Sequence, residues 1–200
     1  MTRIKRAADF DLEFFRRFYL DPKTAAVSRE EMTARAQFIA AFADYLGLDV
    51  RGILDAGCGL GLMRPTFRRI FPEARYLGLE ISADMCAKYG WTLGSVDTWR
   101  SARTFDIVIC YDVVQYLPER RAAAALANLA RHCRGLLYFS ALTREDWLHN
   151  CDRTRTDRDV HMRPAAWYRR RLRRRFHEAG AGLWVRKGAP VTLWALEFQR

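Results

Sequence analysis

A chain of 200 residues, half of them hydrophobic, can bury one sizeable core but is cramped for two. Its formal charge of +11 rests mostly on arginine, lysine occurring only at Lys5, Lys23, Lys88 and Lys187; this suits polyanions or acidic substrates, or simply a solvated arginine surface. With no apolar run of about 20 residues to cross a bilayer, no export signal and no C-x-x-C pair among Cys58, Cys86, Cys110, Cys133 and Cys151, the expectation is a soluble cytoplasmic protein without disulfides, zinc or other metal.

Residues 7–47 read as helical. Phe10, Phe14, Phe15 and Phe18 recur at helical spacing and are expected to pack as core. Pro22 breaks the run. Ser28-Arg29-Glu30-Glu31 then opens a second helix as a capping box, and Gly47 ends it. Residues 1–47 are thus expected to form a helical cap on the domain that follows.

From residue 48 the hydrophobic period changes. Strands are expected at Val50–Leu54, Arg75–Glu80, Thr92–Val96, Phe105–Cys110 and Gly135–Ser140, with helices at Leu62–Phe71, from Ser82, and at Ala122–Leu129. The alternation predicts parallel strands with right-handed crossovers. A polar insertion, residues 143–163, separates this core (48–142) from a last helix running from Pro164 to about Ala179. Strands at Leu183–Lys187 and Val191–Phe198 are expected to close the sheet as an antiparallel hairpin around Gly188-Ala189-Pro190. The whole is one domain.

Between the first strand and its helix stands Asp55-Ala56-Gly57-Cys58-Gly59-Leu60-Gly61. Glycines there allow a tight turn and let a ligand approach bare backbone. A dinucleotide site would space them G-x-G-x-x-G. Here the third glycine comes one residue early and an acidic residue leads. An acidic residue followed by G-x-G-x-G resembles the first motif of the class I, Rossmann-like methyltransferases that use S-adenosylmethionine. The resemblance implies a mostly parallel seven-stranded sheet in an α/β fold, S-adenosylmethionine as cofactor, and contact with it from Asp55, Gly57, Cys58, Gly59 and Gly61.

Other positions extend the likeness. Glu80, ending the second strand about 20 residues beyond the loop, can accept hydrogen bonds from two ribose hydroxyls, with Ile81 bordering the adenine. Ser95, Val96 and Asp97 follow the third strand, where the family places a polar residue near the adenine amine. Cys110, Tyr111 and Asp112, after the fourth, correspond to the cofactor's methionine end.

The acceptor side is open to more than one reading. Gln115 and Tyr116 look toward the substrate space, and Tyr19, Trp147, Asn150 and Arg163 are candidate substrate contacts. His161, with an unperturbed pKa near neutrality, is a candidate general base, and Tyr116 a second catalytic candidate. Cys110-Tyr111-Asp112-Val113 lacks the Asn/Asp-Pro-Pro-Phe/Tyr motif of amine-modifying nucleic-acid enzymes, and no proline precedes Cys110 as in cytosine-C5 enzymes. The expectation is therefore methyl transfer to oxygen, nitrogen or carbon of a small molecule. Rival readings are a nicotinamide-dependent oxidoreductase, and a module whose helix bearing Arg169, Arg170, Arg173 and Arg174 binds RNA or an acidic partner.

Overall fold

The computed structural model describes residues 5–197. Seven strands form one sheet: β1 (Gly52–Ala56), β2 (Arg75–Glu80), β3 (Thr92–Leu93), β4 (Phe105–Tyr111), β5 (Cys133–Ser140), β6 (Phe176–Gly180) and β7 (Leu183–Arg186). Their order is β3-β2-β1-β4-β5-β7-β6. The first five pair in parallel, and β7 lies antiparallel between β5 and β6. β1 has β2 on one side and β4 on the other, so the chain reverses its winding at the carboxyl end of β1. Open α/β sheets leave their ligand crevice at that point.

Two-residue alternation decides which helix covers which face. Ile53, Ile107, Ile109 and Leu136 point to one face, covered by α2 (Arg29–Tyr45) and α3 (Arg64–Ile70). Leu54, Val108, Cys110 and Leu137 point to the other, covered by α5 (Glu119–His132) and α7 (Ala165–Leu172). With both faces buried, β4 has to be apolar at successive positions, as its Ile107–Cys110 run is. The capping box holds: Ser28 Oγ accepts from Glu31 N at 3.1 Å, and Glu31 Oε2 from Ser28 N at 2.7 Å. Ala36, Ile39, Ala40 and Ala43 then bury the stripe of α2 within the sandwich.

The residues before α2 have a different position. A short α1 (Leu12–Phe15) runs into a π-helical turn, Arg16–Leu20, and these lie over the carboxyl edge of the sheet. The insertion contributes α6 (Arg144–His149), and its ends are pinned together by a bridge between Thr143 and Arg163. A further helix, α4 (Ala83–Tyr89), follows β2.

The tail departs from expectation. The helix expected to reach Ala179 stops at Leu172, and Phe176–Gly180 is a strand. Gly180, Ala181 and Gly182 all have positive φ (94°, 47° and 82°), so the hairpin turns there and not at Gly188-Ala189-Pro190. Glu178, on β6, binds Arg169 at 2.8 Å and Arg173 at 2.8 Å, tying strand to helix. Residues 191–197 are turn and coil, and Phe198 lies outside the described residues.

Candidate functional site

A cavity partly open to solvent lies over the carboxyl ends of β1, β2 and β4. Tyr19, Asp55, Gly57, Cys58, Gly59, Glu80, Ile81, Ser95, Val96, Tyr111 and Tyr116 all line it, as do Phe10, Phe14, Phe15, Met32, Asp112 and Val113.

The floor is fixed by backbone. Gly57 has φ +83°, and a Cβ there would collide with Val113. Its N–H and that of Cys58 donate to Leu79 O, at 2.7 and 3.1 Å. Gly59 N donates to Glu80 Oε2 at 2.8 Å, while Trp91 Nε1 donates to Gly59 O at 2.9 Å. Glu80 Oε1 accepts from Ile81 N and Ser82 N. A carboxylate has about four acceptor positions, so Glu80 is three parts committed to shaping the loop and retains one for a ligand.

These bonds separate two kinds of ligand. A pyrophosphate needs free N–H groups or cationic side chains, and here the donors of Gly57–Gly59 turn back into the sheet. Among the described residues, the lining carries Asp55, Glu80 and Asp112 and no Lys, Arg or His. Such a floor fits a cationic ligand and disfavours a dinucleotide. Asp55 is buried and accepts from the Tyr76 hydroxyl. Burial, with the nearby charge of Glu80, pushes its pKa up to about 7 against the lowering effect of that hydrogen bond.

The roof is aromatic. Phe15 is 4 % exposed, and a Cβ on Gly59 would lie 2.9 Å from its ring. Phe14 contacts Phe10, Phe15, Phe18 and Tyr19 at centroid distances of 4.9–6.5 Å. The stripe packs as core, as expected, with Phe10 and Phe14 against the buried Phe15, Met85 and Trp91, and its inner side also covers the cavity. Tyr116 also lines it; burial holds the hydroxyl well above the usual phenol range, which makes it a neutral donor and not a base.

Several expected contacts lie elsewhere. Gly61 is needed for packing, because a Cβ would strike Trp91. Burial alone would raise the pKa of Asp97, but hydrogen bonds from Arg121, 2.7 Å away, and Ser95 hold it low, and it faces that pair. Cys110 is fully buried between β4 and its helices. Gln115 is outside the cavity lining but lines a smaller adjoining cavity, where its side-chain oxygen accepts from Leu142 N at 3.2 Å. Arg163 is 6 % exposed and donates to Val114 O, Leu117 O and the Tyr168 hydroxyl, clamping the insertion to the turn after β4. His161 is outside the cavity lining, its N–H bonded to Gln115 O at 2.8 Å; burial and the Arg163 charge lower its pKa. Trp147 lies under the Arg153 guanidinium, and exposed Asn150 bonds Asp146. No group of three His, Cys, Asp or Glu able to hold a metal occurs among the described residues.

A model of the family described as "Methyltransferase domain" matches residues 28–184. The chain belongs to the class I, S-adenosylmethionine-dependent methyltransferases. Trans-aconitate 2-methyltransferase of Azoarcus sp. (strain BH72) is 29% identical over 93 residues, covering 43% of this chain and 36% of that protein. Ubiquinone biosynthesis O-methyltransferase of Methylococcus capsulatus is 26% identical over 123 residues, 55% of this chain and 50% of that protein. The matches thus span half or less of the length of these curated relatives. In fold, this methyltransferase resembles the amino pentose methyltransferase CalS10 of Micromonospora echinaspora, solved with S-adenosylmethionine bound, with a TM-score of 0.59 and 22% identity over 77% of this chain and 90% of that one.

Proposed function

We propose that this chain transfers a methyl group from S-adenosylmethionine to a small-molecule acceptor, with the glycine loop and Glu80 holding the donor. One observation carries the reading: the loop's N–H groups are spent on β2 while carboxylates line the floor, a surface suited to the donor's sulfonium and ammonium charges. Gly57, Cys58 and Gly59 would pack against the donor's methionine part, the remaining acceptor position of Glu80 would take a ribose hydroxyl, and Ile81, Ser95 and Val96 would border the adenine. When bound, the donor supplies an electrophilic methyl carbon. What the chain supplies is alignment and exclusion of water beneath Phe10, Phe14 and Phe15.

A small acceptor is supported by the roof, whose rings cover the cavity and leave it only partly open. A cytoplasmic setting is supported by all five cysteines being free; no helix among the described residues is long and apolar enough to cross a membrane. The arginine helix is better read as structural than as an RNA site, since Arg169 and Arg173 bind Glu178 and Arg171 stacks 3.6 Å over Trp167.

Titration calorimetry with S-adenosylhomocysteine tests the donor site. Binding to the wild type is expected, and Glu80→Ala should weaken it by about 1–3 kcal/mol. Absence of heat with the wild type, or NADH bound in preference, rejects the proposal.

A further inference from the structure

A second, smaller chamber shares five wall residues with the donor cavity: Phe14, Tyr19, Tyr111, Asp112 and Tyr116. Phe18 and Asp157 complete a wall of five rings and two carboxylates. Ring faces carry partial negative charge and attract ammonium groups, the more so away from water. The chain supplies its own demonstration at the outer side of this wall. Lys5 Nζ lies 5.5 Å from the Phe14 centroid, 5.9 Å from that of Tyr116 and 2.8 Å from Asp157 Oδ2. Lys5 therefore balances Asp157 from outside, and the carboxylate left to both cavities is Asp112.

Asp112 is held unusually. Its φ of 56° places a non-glycine residue in the left-handed region, which costs about 1 kcal/mol. Its N–H donates to Ser140 O at 3.0 Å, anchoring the turn after β4. Strain of this kind is kept where geometry over-determines it, and such places are often sites. Arg35 acts on Asp112 from one side, stacked 4.3 Å over Tyr111, and Asp146 opposes it from another. Burial raises its pKa, against the lowering influence of Tyr111, Arg35 and Gln115.

We propose that the acceptor is a primary or secondary amine of a small molecule, seated as its ammonium in this aromatic and acidic chamber, with Asp112 receiving its proton. The proposal rests on the methyltransferase reading. The ammonium gives a proton to Asp112, which frees the nitrogen lone pair. That pair forms the new N–C bond as the C–S bond breaks, its electrons remaining on sulfur as the neutral thioether. The methylated nitrogen, now cationic, loses its second proton to solvent. A neutral alcohol would gain nothing from the ring faces.

The test uses the protein saturated with S-adenosylhomocysteine and titrated with tetramethylammonium or with tert-butanol, a neutral group of similar shape, followed by NMR of labelled Phe and Tyr. Tetramethylammonium should shift the chamber's ring signals and bind at least tenfold more tightly than tert-butanol. Asp112→Asn should weaken it at least fivefold and Asp112→Glu should restore it. Phe18→Leu, which lines this chamber and not the donor cavity, should weaken it about threefold with S-adenosylhomocysteine binding retained, and decides the matter if the Asp112 variants do not fold. With methyl-labelled donor, a panel of alkyl amines should be methylated and the matching alcohols not. Equal affinity for the two probes, no binding of tetramethylammonium, or methylated alcohols overturns the amine assignment. Failure of S-adenosylhomocysteine to bind at all strikes the donor reading instead.

Discussion

On the floor of the donor cavity, residues 55–61 and Glu80 are held by backbone hydrogen bonds to β2 and by glycines that admit no side chain. On its roof, residues 10–19 are held by ring contacts among themselves and with Tyr116, and Lys5 just before them pairs with Asp157 of the insertion. The floor joins neighbours across one strand crossover, whereas the roof joins segments about 150 residues apart in the chain. Geometry fixed by backbone is stiff and local. Geometry fixed by side chains from distant segments can open, which a cavity that must admit and release ligands requires.

Substitutions should therefore act unequally on the two. The largest effect is expected from Gly57→Ala on the floor. It combines a left-handed alanine, about 1–2 kcal/mol, with a collision at Val113 of about 1–3 kcal/mol. Urea unfolding should show a loss of about 3 kcal/mol, with S-adenosylhomocysteine binding abolished. A loss under about 0.5 kcal/mol would mean that the floor yields as easily as the roof.

Asp55 gives the next effect. Its folded-state pKa, about 7, lies above the unfolded value, so the folded chain holds the proton more tightly. Stability from this group is present at low pH and lost as pH rises through 7. Between pH 6 and pH 8 the linkage amounts to about 1.4 kcal/mol. Asp55→Asn should remove that slope in unfolding titrations; an unchanged slope would assign it to another group.

Lys5→Met should change least in global stability, under about 1 kcal/mol, as expected of one small ion pair. Its effect should be confined to the roof, as faster hydrogen exchange in residues 7–20. Exchange that accelerates equally in β1 and β4 would show that roof and floor unfold as one unit.

The same division explains what could be read from the sequence. The glycine spacing, Asp55 and Glu80 are local signals, and the structure brings them into one floor. The Ile107–Cys110 run gave its strand because burial on both faces demands it. The helical spacing of Phe10, Phe14, Phe15 and Phe18 says that one face is covered, and the rings do pack together, but it carries no sign that the same face roofs a cavity. The tail was misread for a related reason: the period of Tyr168, Leu172 and Phe176 suggested one helix, while the glycines at 180 and 182 favoured a turn. His161 is a candidate by residue type alone, and its place against Gln115 depends on how the insertion folds back. The left-handed backbone of Asp112 has no signature in one sequence.

The polarity of the cavity runs against that of the chain that surrounds it. Three acidic side chains line the proposed donor site of a chain whose formal charge is +11. A donor with a net positive charge is therefore repelled at a distance and attracted only on arrival. Added salt, which slows encounters between opposite charges, should here speed them by screening the arginine surface more than the enclosed floor.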